Sequence, residues 1–265
     1  MQRLDPRDIF GTDRPLIGMV HLRPLPGAPG HRSMTDVLDA ACRDAAALAD
    51  GGFSALMIEN FGDAPFYPDR VPAETIAALA VAVAEVRRMT SLGIGVNVLR
   101  NDALAALAIA HATGARFIRV NVHTGAMLTD QGWISGRAHE TLRARAALGA
   151  HVAILADVLV KHATPPAGLT AADAARDTWE RGGADALIVS GAATGAATPL
   201  ERVREVKAAV PDAPVLIGSG LTPANARDLL AVADGAIVGS AVQLDGHAGG
   251  AVDAARVRAL LDAVR

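Results

Sequence analysis

Val215-Leu-Ile-Gly-Ser-Gly-Leu-Thr-Pro-Ala-Asn225, followed closely by Ala236-Ile-Val-Gly-Ser-Ala241, decides how the rest of the chain is read. Each part is a short apolar run that stops at Gly-Ser. Apolar runs without polar alternation are strands buried on both faces, as in a parallel sheet. Gly218, Gly220 and Gly239 let something approach the backbone closely. Thr222-Pro223 reads as a helix start, with threonine as N-cap and proline at the first helical position. Two adjacent strand ends beside a helix N-terminus make an anion site, and in an eight-stranded β/α barrel the loops after strands seven and eight often hold a phosphate. Gly218, Ser219, Gly220, Gly239 and Ser240 are therefore the expected phosphate-binding residues. The competing reading is two ordinary tight βα turns.

Working back from this corner, the same unit recurs. Apolar runs at 16–21, 55–59, 94–98, 117–121, 151–157 and 186–190 each precede a stretch of helical periodicity. Ser33, Pro72, Asp102, Thr170 and Thr198-Pro199 mark helix starts, and Gly51-Gly52 and Gly182-Gly183 mark helix ends. The last helix is expected over 251–265. With the two strands of the opening stretch, eight strands alternate with eight helices, which implies a parallel sheet. That number of units in this length is the size of a (β/α)8 TIM barrel, read here as a single domain over residues 1–265 with 1–14 as an N-terminal extension. A doubly wound open sheet would need a Gly-x-Gly-x-x-Gly turn after strand one, and none occurs there. Two loops, 123–133 and 158–169, are long for βα connections, and long loops in compact domains are often functional.

Composition narrows the function classes. Hydrophobic residues make up 51% of the chain and charged residues 20%, so a large core is available. Aromatics are 3% and the net charge is −3, with no basic run, which argues against a nucleic-acid partner. Cys42 is the only cysteine, so no intrachain disulfide or cysteine metal cluster can form. No signal peptide and no integral membrane segment are visible, and the reading is cytoplasmic.

Barrel active sites lie at the C-terminal strand ends. Those ends carry polar residues that core packing does not require. Glu59 and Asp157 are the candidate acid and base, because a carboxylate at a partly desolvated mouth can be tuned for proton transfer. Each could equally pair with an arginine or lysine across the barrel. Lys161 could bind an anion, form a Schiff base, or be a solvated loop lysine. Asn97 and Asn121 could hydrogen-bond a sugar or carbonyl, and His123 could act as an acid or base. His21, Asn60, Arg119 and Ser190 complete the set as substrate-binding residues. No His-x-His or Glu-x-x-His spacing supports a metal site, so neither metal nor cofactor is expected. Phe61, Phe66, Met127 and Trp133 are expected to close over the mouth, or to form a homo-oligomer interface.

Several long segments resemble the BtpA/SgcQ family. They are Gly18-Met-Val-His-Leu-Arg-Pro-Leu-Pro-Gly27, Glu59-Asn-Phe-Gly-Asp-Ala-Pro-Phe66, Gly95-Val-Asn-Val-Leu-Arg-Asn-Asp102 and Phe117-Ile-Arg-Val-Asn-Val-His-Thr-Gly-Ala126, with Leu155-Ala-Asp157, Lys161-His162 and Ser190-Gly-Ala-Ala-Thr-Gly195. The resemblance implies a barrel similar to the ribulose-phosphate-binding barrels. It implies two kinds of role, one in photosystem I biogenesis and one in sugar-phosphate metabolism. Three functions follow as expectations. The first is an enzyme acting on a phosphorylated sugar or related small metabolite, of lyase, isomerase or aldolase type. The second is a non-catalytic assembly or stability factor for a membrane complex such as photosystem I. The third is a glycosidic-bond-cleaving enzyme using Glu59 and Asp157 as its carboxylate pair.

Overall fold

The computed structural model describes residues 3–264. Its barrel strands are β1 (Leu16–His21), β2 (Ala55–Glu59), β3 (Gly93–Asn97), β4 (Phe117–Val120), β7 (Ala153–Val158), β9 (Ala186–Val189), β10 (Val215–Ile217) and β11 (Gly235–Val238). They pair in parallel in that order, and β11 returns to β1 to close the barrel. The helices that follow them are α2 (Met34–Gly51), α3 (Ala73–Met89), α4 (Ala103–Thr113), α5 (Ala138–Ala147), α6 (Ala171–Arg176), α7 (Leu200–Ala209), α8 (Ala226–Leu230) and α9 (Ala254–Val264). A short N-terminal helix, α1 (Pro6–Phe10), precedes β1.

The barrel interior follows from period-two alternation. Ile17 and Met19 of β1, Ala55 and Met57 of β2, Phe117 of β4, Ala153 and Leu155 of β7, Ile188 of β9, Leu216 of β10 and Ile237 of β11 form one buried cluster. Gly95 of β3 makes room for Phe117, since a Cβ there would lie 2.0 Å from the ring. Ile9 and Phe10 of α1 join this cluster, and Phe10 meets Phe117 edge to face at 5.1 Å. The N-terminal extension thus supplies side chains to the barrel's interior. The alternate strand residues face the helices and form the larger core, with Val20, Leu56, Ile58, Ile94 and Ile118 among them.

Three elements differ from the sequence reading. The segment 123–133, read as a loop, carries an antiparallel hairpin of β5 (Ala126–Thr129) and β6 (Gly132–Ser135). Gly132, at φ 88, allows the tight turn, and Met127 and Ile134 bury one face against Val122 and Val160. A third short strand, β8 (Ala163–Thr164), joins the hairpin from the loop after β7. The turn at Thr222-Pro223 does not begin a helix. The Asn225 side chain accepts from the Thr222 amide at 2.8 Å and donates to the Gly220 carbonyl at 2.9 Å, and α8 starts only at Ala226. The last helix begins at Ala254 rather than 251, because Val252 first bridges Gln243, and the Arg265 end of that expectation lies outside the described residues. The cap expectations at Ser33, Asp102 and Thr170 match side-chain bonds to the amides of Thr35, Ala105 and Asp173.

Candidate active site at the barrel mouth

Alternation that fills the interior with apolar side chains ends at the C-terminal rim with polar ones. In register, His21 of β1 lies beside Glu59 of β2, Glu59 beside Asn97 of β3, and Asn97 beside Arg119 of β4. Asn121 follows the end of β4 and Asp157 lies near the end of β7. All six are buried or nearly so.

Arg119 grips Asp157 in a bidentate pair, Nε to Oδ2 at 2.9 Å and Nη2 to Oδ1 at 2.8 Å. Burial works against the guanidinium's charge, but the Asp157 carboxylate outweighs it and holds the Arg119 pKa above its ordinary value. Asn121 Nδ2 donates to Asp157 Oδ2 at 3.3 Å, and the Ser190 hydroxyl donates to Oδ1 at 3.5 Å. Asn97 Nδ2 donates to the Arg119 carbonyl and to Asn121 Oδ1, while its own Oδ1 is buried with no partner. Asp157 is therefore the anchor of a network and not a free proton carrier. The pairing is with Arg119, not with Lys161.

Glu59 is free of that network. Its Oε1 lies 3.7 Å from His21 Nε2, too far for a hydrogen bond in this geometry. His21 Nδ1 accepts from the Gly249 amide at 3.1 Å and from Gln243 Nε2 at 2.8 Å. An amide N–H can only donate, so the neutral ring carries its proton on Nε2, aimed at Glu59. Burial lowers the His21 pKa, against the pull of Glu59. Phe61 stacks on the ring at 4.4 Å.

A cavity of about 510 Å³ opens above these groups. Glu59, Arg119, Asn121 and Lys161 line its floor and wall, and Phe61, Phe66, Arg100, Asp130, His162 and Thr194 surround them. Burial, with Arg119 beside it, lowers the Lys161 pKa to about 8. Leu159 and His162, both at left-handed φ near 55, bracket the turn that carries Lys161. Arg100, buried, donates from Nη2 to the His162 carbonyl at 3.1 Å and ties the β3 loop to the β7 loop.

Other expected residues are placed differently. His123 lies outside the mouth: its Nε2 bonds the Gly182 carbonyl at 2.8 Å, and Nδ1 is buried without a partner. β4 ends at Val120, so the strand parity that would have turned His123 inward no longer applies. Asn60 is used up in stapling two loops, with Oδ1 accepting from Leu99 N and Nδ2 donating to Leu99 O and Asp63. Phe61 and Phe66 reach the cavity, but Met127 is packed inside the hairpin and Trp133 is 60% exposed. Only the hairpin tip, through Asp130, reaches the mouth.

At the β10–β11 corner, chain atoms fill the space that the glycines leave. Ser219 Oγ accepts from the Gly191 amide at 3.0 Å and donates to the Ala196 carbonyl at 3.3 Å. A Cβ on Gly220, at φ 69, would lie 2.2 Å from the Ala196 oxygen, and one on Gly218 would lie 2.3 Å from Ser190 Oγ. The loop 191–197 therefore folds against the corner, and Thr194 at its tip bonds His162. Gln243, Arg100, Asp130, His162 and Thr194 are mouth residues that the sequence reading did not assign to the site; a lone glutamine after the β11 run is the one local signal of the first.

Fold and site together define a (β/α)8 barrel with a charged, walled mouth at the C-terminal ends of its strands. The chain belongs to the BtpA family, whose sequence profile matches residues 12–265. It is 46% identical over 256 residues to the photosystem I biogenesis protein BtpA of Synechocystis, covering 96% of this chain and 89% of that protein. It is 34% identical over 262 residues to the putative sgc region protein SgcQ of Escherichia coli, covering 97% of both. Among solved structures, the phosphoribosyl anthranilate isomerase of Thermus thermophilus superposes with a TM-score of 0.59 at 14% identity, covering 94% of this chain and 98% of that one, a likeness of fold. Among the described residues, no helix is long and apolar enough to cross a membrane.

Proposed function

We propose that the mouth is the active site of an enzyme acting on a phosphorylated sugar or related small metabolite, of lyase, isomerase or aldolase type. The observation that carries this reading is the partition of the two carboxylates. Asp157 is neutralised by Arg119, while Glu59 stands free beside a histidine whose proton points at it. Separation of a fixed charge from a mobile proton is what proton transfer at a carbon or oxygen requires. A factor that only binds a partner's surface has no use for it. The glycosidic reading loses support, because it needs two available carboxylates and Asp157 has both oxygens engaged by Arg119.

In this reading the phosphate lies at the Gly239-Ser240 strand end, beside Gly195 of the loop 191–197, where a Cβ would lie 3.2 Å from Ser240 Oγ, and the reacting carbons lie over Glu59 and Asn121. The isomerase named above, which takes a phosphoribosyl compound by its name, is consistent with this division of labour. The assembly reading rests on the name of the Synechocystis relative.

The test is a thermal-shift screen with sugar phosphates and their unphosphorylated parents. Ligand at about 100 times its Kd adds about 2.7 kcal/mol of stability, a shift of several degrees. The phosphorylated members are expected to stabilise the protein, their parents to do so less, and Ser240→Asp to remove the difference. Glu59→Gln keeps the side chain's shape and is expected to retain the shift while turnover falls by about 10²-fold or more. Equal responses to phosphorylated and plain sugars would remove the phosphate site, and full activity in Glu59→Gln would remove Glu59 from the chemistry.

A further inference from the structure

Only two of the chain's 25 lysines and arginines are lysine, Lys161 and Lys207. Their surroundings are opposite. Lys207 Nζ donates to Asp234 Oδ2 at 2.9 Å and to the Ala213 carbonyl at 3.3 Å, an ammonium in an ordinary ion pair. Lys161 lines the 510 Å³ cavity beside Glu59, Arg119 and Asn121. Among the described residues its Nζ has neither an ion pair nor a hydrogen bond. Arginine would hold an anion at this place as well or better, since it stays charged and presents a fork of donors. What arginine cannot do is lose its proton and attack carbon.

We propose that Lys161 is the nucleophile of the mouth, forming an imine with a substrate that carries a ketone or aldehyde as well as its anionic group. The inference rests on the enzyme reading given above and names its substrate class.

In the first step the neutral Nζ lone pair makes a C–N bond to the carbonyl carbon, and the carbonyl π pair moves to oxygen, which takes up a proton. The nitrogen of this carbinolamine gives up one proton. A second proton then reaches the hydroxyl, the C–O bond breaks with its pair leaving as water, and the nitrogen lone pair closes a C=N bond. The product is a protonated imine, and the balance is one neutral amine, one carbonyl and one proton giving one iminium ion and one water. Glu59, with the Nε2 proton of His21 behind it, is the carboxyl group at hand to relay these protons. The iminium then accepts the electron pair of a C–H or C–C bond broken at the neighbouring carbon, which is the step an isomerase or aldolase needs. The Lys161 pKa near 8 leaves a usable fraction of neutral amine at neutral pH.

The experiment incubates the full chain with dihydroxyacetone phosphate, D-ribulose 5-phosphate or pyruvate, adds sodium borohydride, and locates the adduct by peptide mass spectrometry. The expected result is a borohydride-dependent mass gain on the Lys161 peptide with at least one probe, at least ten times that on the Lys207 peptide. It should vanish in Lys161→Arg and on prior denaturation. Labelling of Lys161 no greater than that of Lys207 with all three probes overturns the proposal. A thermal shift by the phosphorylated probes without any adduct would leave the phosphate-substrate reading standing while removing the imine. Neither shift nor adduct would remove both. Circular dichroism melting of Lys161→Arg without ligand confirms that loss of the adduct is not loss of the fold.

Discussion

Arg119 and Asp157 face each other across neighbouring barrel strands with side chains 2% and 1% exposed, joined by two parallel hydrogen bonds. The pair divides the mouth into one half where polar groups hold one another and another around His21, where the side chains of Glu59 and Lys161 stand outside that network.

Removing one partner of a buried ion pair leaves the other charge stranded. Asp157→Asn is expected to cost about 3–5 kcal/mol, read as a fall in the urea midpoint at unchanged slope. Arg119→Met combined with Asp157→Leu should cost less than the sum of the two single replacements, because no lone charge remains. A loss under about 1 kcal/mol in Asp157→Asn would show that the carboxylate is not an anchor.

Lys161 carries a stability cost that depends on pH. Its folded pKa of about 8 lies below the unfolded value of about 10.4, so the unfolded chain binds more protons between these values and stability gains from this group as pH rises through that window. The cost is fully present below pH 8. Lys161→Met is therefore expected to be more stable than the parent at pH 7, by on the order of 1 kcal/mol after allowance for partial exposure. The advantage should close by about pH 10.5. Urea denaturation at the two pH values measures this, and a variant less stable at pH 7 refutes it.

His21 acts in the acid range. Burial holds its folded pKa below the ordinary value, so the unfolded state takes up a proton first and stability falls as pH drops below about 6.5. His123 and His162 are shifted the same way and add to the slope. In His21→Gln the stability profile between pH 7 and 5 should be flatter than in the parent. Parallel profiles would mean that protonation of His21 does not oppose folding.

Gly220 is bound to the loop 191–197 by lack of space and by its left-handed φ of 69. Gly220→Ala is expected to cost about 1–3 kcal/mol and to loosen that loop, read as faster proteolysis within 191–197. For the same reason, a charged residue at position 220 would disturb the fold before it disturbed any ligand, so Ser240 is the cleaner place to probe a phosphate.

Much of this was legible from the chain alone. Period-two alternation sets a polar residue on the inward face at or near the end of β1, β2, β3, β4 and β7, and this is enough to bring His21, Glu59, Asn97, Arg119 and Asp157 to one rim. Two kinds of information were not legible. One is partner choice: sequence shows two carboxylates near strand ends but not that Arg119 donates two hydrogen bonds to one of them. The other is where a strand stops. His123 and Asn60 lie just past their strands, where parity fails and the side chain is free to bond a helix end or staple a loop. The hairpin was hidden because its four-residue strands alternate only once or twice before the turn.

The third strand of that hairpin has a consequence for motion. Pairing Leu128 with Thr164 and Thr129 with Ala163 in antiparallel register brings two flanks of the mouth, Asp130 of the hairpin and the Lys161-His162 turn, side by side at the end of a single hydrogen-bonded ladder. Neither flank can swing away alone without breaking that ladder, so the two loops constitute one cooperative unit of local unfolding. Amides across 126–135 and 163–164 should then exchange with solvent at a common free energy, and a ligand gripped by either flank should slow both.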